Sequence, residues 1–126
     1  MTTGRILPPN KEMFRLDEDI PEIRLMGVEG DKFANPPVLK VLMVTEDMEC
    51  LKLWRKKGFV DPKHAHEDHT TICILLQGKL RLHIGNKSFV AEPGDVWMHP
   101  QGMTHWSEAL KDSCQLEVKS PACKTW

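Results

Sequence analysis

No stretch of this 126-residue chain approaches the ~20 consecutive apolar residues that a membrane-spanning helix needs. No block of one charge interrupts a near balance of 17 basic and 18 acidic side chains, a formal charge of −1. Nucleic acid and anionic membrane both call for clustered Lys and Arg, so neither partner is expected, while a small charged ligand is compatible with this balance. The four cysteines, Cys50, Cys73, Cys114 and Cys123, form no C-x-x-C pair. Free thiols in a reducing cytoplasm are their simplest reading, with disulfides as the alternative. The opening "MTTGRILPPNKE" lacks the continuous apolar core of a secretion signal, which agrees with a cytoplasmic location. There is no internal repeat and no low-complexity segment.

What is present fits one globular domain. Hydrophobic residues make up 40% and charged residues 28%, an ordinary balance for a packed chain. A chain of this length buries roughly two-thirds of its unfolded surface, enough to stand without disulfides.

Residues 1–37 hold five of the nine prolines and read as short extended pieces, with a short helical turn considered near "NKEMFRL". Ile20, Ile23, Leu25 and Met26 make this segment too apolar for a free tail, so it is expected to lie on the domain or on a partner chain. The barrel proper is expected over residues 38–126. From residue 38 the pattern is of strands: 38–46 and 49–57 as a hairpin, then 70–76, 79–84, 87–92, 96–99, 105–110 and 113–120. "KLRLHI" alternates, with Leu80, Leu82 and Ile84 on one face and Lys79, Arg81 and His83 on the other. "TTICILL" has no polar face, which predicts a strand covered on both sides. Many short strands with Gly and Pro punctuation predict an all-β sandwich or small barrel.

"KHAHEDHTTICILLQG" places three histidines in six positions directly before that apolar strand. Alternate residues of an extended strand share a face, so His64 and His66 project together at a spacing suited to one metal ion. His105 is the candidate third ligand, because its turn "PQGMTH" resembles the one before the first pair. His69 shares the face of Thr71 if the strand has begun there, giving a fourth ligand or a general base; a solvated turn is the alternative. His99, just before Pro100, is expected to point inward with Trp97, in an acid–base role or behind the ligands. Thr71, Cys73 and Trp97 are the expected substrate-facing residues, with inert packing as the default for Cys73.

Gly58, His64, His66, Thr71 and Gly78, followed by Gly94, Pro100, Gly102 and His105, resemble the two motifs of the cupin superfamily at full internal spacing. The resemblance covers residues 38–118. It implies a double-stranded β-helix, a jelly-roll barrel holding one divalent ion (Fe, Mn, Ni or Zn) on His64, His66 and His105. Thr71 stands where the motif commonly offers a Glu or Gln ligand, and Ala109 where the second motif often has Asn. Three neutral imidazoles with open positions on the ion would then remain, or a weaker, degenerate site. Imidazoles must be neutral to bind, so affinity is expected to fall below about pH 6.5.

Such a site resembles cupin dioxygenases, which suggests an enzyme acting on a small molecule that chelates through carbonyl, enol or hydroxyl oxygens. The tail from Pro93 to Pro121 is similar to small cupins of pectin breakdown that open the ring of unsaturated uronates. An inward cation for a uronate carboxylate is not evident, since Lys79 and Arg81 face outward. A non-catalytic module for a metal or small ligand is the third reading. The two-sided "TTICILL" and the apolar pieces before residue 38 predict a homodimer.

Overall fold

A computed structural model describes residues 5–126 of the chain. Eleven strands run in order: β1 (Ile23–Arg24), β2 (Gly27–Val28), β3 (Asp31–Lys32), β4 (Val38–Val44), β5 (Glu49–Arg55), β6 (Thr70–Gln77), β7 (Leu80–Ile84), β8 (Lys87–Ala91), β9 (Val96–His99), β10 (His105–Ala109) and β11 (Ser113–Ser120). There is no α-helix among the described residues, and no helix there is long and apolar enough to cross a membrane. The helical turn considered near "NKEMFRL" is not formed. Asn10 is tied by its backbone N–H to the Val44 carbonyl and Arg15 donates to the Val41 and Leu42 carbonyls, which anchors that stretch to β4 instead. A 3-10 turn follows at Asp17–Asp19.

The strands form a six-stranded sheet in the order β1-β4-β5-β11-β6-β9 and a three-stranded sheet β10-β7-β8, with β2-β3 as a separate hairpin. Every pairing is antiparallel. The two larger sheets face one another as a jelly-roll barrel, the architecture that the motif resemblance implied and one form of the small barrel expected from the patterning. Turn chemistry supports the register. Gly78 connects β6 to β7 at φ +96°, and a Cβ there would collide with the Asp112 carbonyl and with Ser113. Only glycine meets both demands.

The inward residues of the larger sheet stack in rows across its strands. Leu39, Leu53, Gln115 and Leu75 make one row; Leu51, Glu117, Cys73 and Trp97 the next; Glu49, Lys119, Thr71 and His99 the one beyond. The barrel interior thus grades from apolar to polar. At the apolar end Leu75 and Leu80 are fully buried with Leu82, Phe59 and Ala91, each large side chain contributing about 1.5–3 kcal/mol relative to exposure. Leu25, Leu39, Leu51 and Leu53 form a second cluster, and Phe33 packs against both.

The strand expected to be covered on both faces is covered on one. Thr71, Cys73 and Leu75 are buried, but Ile72 is 56% exposed and Leu76 38%. Met98 and Val96 of β9 stand beside Ile72 and Ile74 and are exposed too. With Leu116 and Val118 of β11 they make an apolar stripe on the outer face of a single chain.

Candidate metal centre

The site grows from two loops brought together by backbone pairing. His64 and His105 face each other across an antiparallel bridge, with N–H···O distances of 3.0 and 2.8 Å in the two directions. His66 lies two residues on, and its carbonyl accepts the Gly102 N–H at 2.8 Å, which fastens it to the turn before His105. The three rings gather with centroids 4.3 to 5.0 Å apart. One donor nitrogen from each lies within 4.8 Å of the others.

The hydrogen bonds decide which nitrogen that is. His64 Nδ1 contacts the Pro62 carbonyl at 2.6 Å, and His105 Nδ1 the Met103 carbonyl at 3.0 Å. His66 Nδ1 contacts Glu29 Oε2 at 2.6 Å. Carbonyl and carboxylate oxygens accept only, so each Nδ1 carries the hydrogen and each neutral ring keeps its lone pair on Nε2. Burial keeps two of the rings neutral. His105 is pushed down to about 4, chiefly by burial and then by His64, with the Met103 carbonyl pulling the other way. Burial, followed by the charge of Lys119, drives His66 far below the usual imidazole range. Lone pairs of three imidazoles turned toward one point fit a divalent first-row ion. At His66 and His105 a proton therefore competes with an ion only at lower pH than at an ordinary imidazole.

His99 lies flat on His105, with centroids 3.7 Å apart and planes 11° from parallel, and burial first, His105 second, hold it neutral. His69 is not in a solvated turn. It is 1% exposed, stacked on His66 at 4.4 Å, and its Nδ1 donates to Asp68 Oδ1 at 2.8 Å. Its Nε2 and the Thr71 hydroxyl are buried without a hydrogen-bond partner among the described residues. Cys73 and Trp97 pair across β6 and β9 one row deeper, in the apolar cluster. Asp68, His69 and Cys123 also bring donor atoms within 4.8 Å of one another. There the Asp68 carboxylate already has Arg5 Nε at 3.5 Å and His69 at 2.8 Å, and burial raises the Cys123 thiol to about 11. The three-histidine group is the better home for an ion.

The inward charges escaped the sequence reading. A cavity of about 60 Å³ is lined by His64, His66, His99 and His105 together with Arg55, Asp61, Glu117 and Lys119. Arg55 donates to Ser107 Oγ and to Gln115 Oε1, and stands 3.6 Å from Asp61. Lys119 Nζ donates to Thr125 Oγ1 at 3.3 Å and lies 3.8 Å from Glu117. The signal was present as parity: Ser113, Gln115, Glu117 and Lys119 alternate along β11, as Glu49, Leu51, Leu53 and Arg55 do along β5. Glu49 closes that polar row. It is fully buried, both its oxygens lack a hydrogen-bond partner among the described residues, and burial raises it to about 7.

Several solved structures share this architecture. KdgF from Halomonas sp. is 27% identical, with a TM-score of 0.65 over 68% of this chain and 78% of its own. An RmlC-like cupin from Shewanella frigidimarina is 20% identical, with a TM-score of 0.75 over 89% and 93%. A protein described as a predicted oxalate decarboxylase from Thermotoga maritima is 21% identical, with a TM-score of 0.73 over 86% and 98%. No curated protein matches the chain. Residues 54–118, which carry both histidine motifs, match the Cupin domain family, and the chain belongs to it.

Proposed function

We propose that the protein is a metal-dependent enzyme that moves protons on a small oxygenated carboxylic acid, as an isomerase, ring-opening enzyme or lyase. One divalent ion (Fe, Mn, Ni or Zn) would sit on His64, His66 and His105, and when bound would act as a Lewis acid toward a carbonyl or hydroxyl oxygen. The observation that carries this reading is Lys119. Its ammonium has three hydrogens and, among the described residues, two contacts, at 3.3 and 3.8 Å, and it lines the same cavity as the imidazoles. A donor remains for a substrate carboxylate, which supplies the inward cation that Lys79 and Arg81 could not. Arg55 is already held by Ser107, Gln115 and Asp61, so it buttresses the wall.

His99, stacked on His105 and with no hydrogen-bond partner for its ring nitrogens among the described residues, would take or give a proton beside the ligand position. Thr71, in the row of His99, offers a hydroxyl to a bound oxygen, and His69 backs His66. Trp97 and Cys73 shape the floor beneath them. A cavity of about 60 Å³ would take the chelating end of a substrate. The resemblance of the tail to uronate-opening relatives and the likeness to KdgF support the same chemistry.

Loss of the ultraviolet absorbance of an unsaturated uronate under anaerobic, metal-loaded conditions is the expected result. Oxygen uptake by the iron-loaded protein with turnover only in air would instead favour the dioxygenase reading, whose support is the three-imidazole set without a carboxylate. Consumption of neither class of substrate, with the ion still bound, would leave a binding module.

The outer stripe of Ile72, Ile74, Val96 and Met98 supports a homodimer built on this sheet face. The four unpaired cysteines support a reducing, cytoplasmic setting. Elution of the native chain at a monomer's mass would refute the dimer.

A further inference from the structure

The β2–β3 hairpin turns through Glu29 and Gly30, both at positive φ, 47° and 88°. Two-residue turns of this kind favour Asn-Gly or Gly-Gly, and a long side chain such as Glu is uncommon in the left-handed region. The turn alone does not account for a glutamate there. Its carboxylate does. Oε2 accepts the His66 Nδ1 hydrogen at 2.6 Å, while Arg5 donates to the two oxygens at 2.6 and 3.0 Å. The Glu29 backbone N–H is fixed on the Thr125 carbonyl at 2.9 Å.

His64 and His105 are each oriented by a carbonyl two residues earlier, inside their own loops. His66 takes its acceptor from a hairpin 37 residues away, and that acceptor is anionic. Arg5 also approaches Asp68 at 3.5 Å, and Asp68 holds His69. One guanidinium therefore spans the two carboxylates behind two stacked imidazoles.

We propose that Glu29, held by Arg5, is a positioning residue for the metal centre. It fixes the Nδ1-protonated tautomer of His66, turns Nε2 toward the ion, and by its negative charge makes that nitrogen a stronger donor. The N-terminal segment is then a working part of the site. The proposal rests on the metal-centre reading above.

The test is Co²⁺ affinity by chelator competition for the wild type, Glu29→Ala, Glu29→Gln, Arg5→Ala and His105→Ala, together with imidazole ¹⁵N spectra of the metal-free proteins. Glu29→Ala is expected to weaken Co²⁺ binding about 10- to 100-fold. Glu29→Gln keeps an acceptor without the charge and should fall between, as should Arg5→Ala. In the metal-free spectra His66 should be the Nδ1-H tautomer in the wild type and a mixture in Glu29→Ala. Co²⁺ affinity of Glu29→Ala within twofold of wild type, or an unchanged tautomer, overturns the proposal, even if the variant melts lower. If His105→Ala binds Co²⁺ as tightly as wild type, the metal-centre reading itself fails.

Discussion

Acidifying the metal-free protein sets two buried groups against each other. His105 titrates at about 4 in the folded chain against an ordinary 6.5. Between those values the unfolded chain binds the proton and the folded chain does not, so stability is present above 6.5 and is lost as pH falls toward 4. Glu49 runs the other way: folded, it titrates at about 7 against 4.5. The folded chain then takes up the proton first, and its stability rises as pH falls from 7 toward 4.5. Each shift spans about 2.5 units, or about 3–4 kcal/mol at roughly 1.4 kcal/mol per unit. His66, His69 and His99 are lowered in the same direction as His105, so the wild type should lose stability on acidification. In Glu49→Gln that loss should steepen by about 1 kcal/mol per pH unit between pH 6.5 and 5. In His105→Asn it should flatten by a similar amount, and the double variant should return to the wild-type slope. Urea unfolding with chelator present at pH 7.5, 6.5, 6 and 5 reads this directly. A Glu49→Gln profile parallel to wild type would refute the assignment of a buried, protonatable carboxyl in this row.

His64→Ala, His66→Ala and His105→Ala should each abolish stoichiometric divalent-metal binding while the barrel melts cooperatively, by metal analysis and circular dichroism. Gly78→Ala forces a side chain into Asp112 and Ser113 at positive φ and should destabilise by about 2 kcal/mol or more in urea titrations. Leu80→Ala, at a fully buried position, should remove about 2–5 kcal/mol. Lys119→Met should raise KM for a carboxylate substrate far more than for its amide or ester, and equal effects on both would contradict the role given to that ammonium. Ile72→Asp should shift the native chain toward monomer in sedimentation runs, and a wild type that is already monomeric would contradict the dimer.

Strands β4 to β11 were legible along the chain from short apolar-rich runs, several of them alternating, with turn residues between them, whereas β1 to β3 were read only as extended pieces. β7 is the clearest case, with Leu80 and Leu82 inward and Arg81 outward. The histidines His64, His66 and His105 were legible from i, i+2 spacing and from the similar turns before His64 and His105. β11 misleads, because its polar residues Gln115, Glu117 and Lys119 face inward and its Leu116 and Val118 face outward. An alternation pattern reports two faces without saying which is inside, and a polar cavity inverts the usual assignment. His69 was ambiguous for a related reason: "HEDH" reads as solvated until Asp68 and the stacked His66 are seen to enclose the ring. Glu29 was beyond reach of local reading altogether, since its partner lies 37 positions away and only tertiary folding brings the hairpin to the ring.

X-ray absorption of the zinc-loaded protein tests the central claim most directly. Three imidazole nitrogens should scatter at about 2.0–2.1 Å, with oxygen completing the shell. A sulfur shell near 2.3 Å would place the ion at Asp68, His69 and Cys123 instead, and a shell without imidazole scattering would remove the metal centre from His64, His66 and His105.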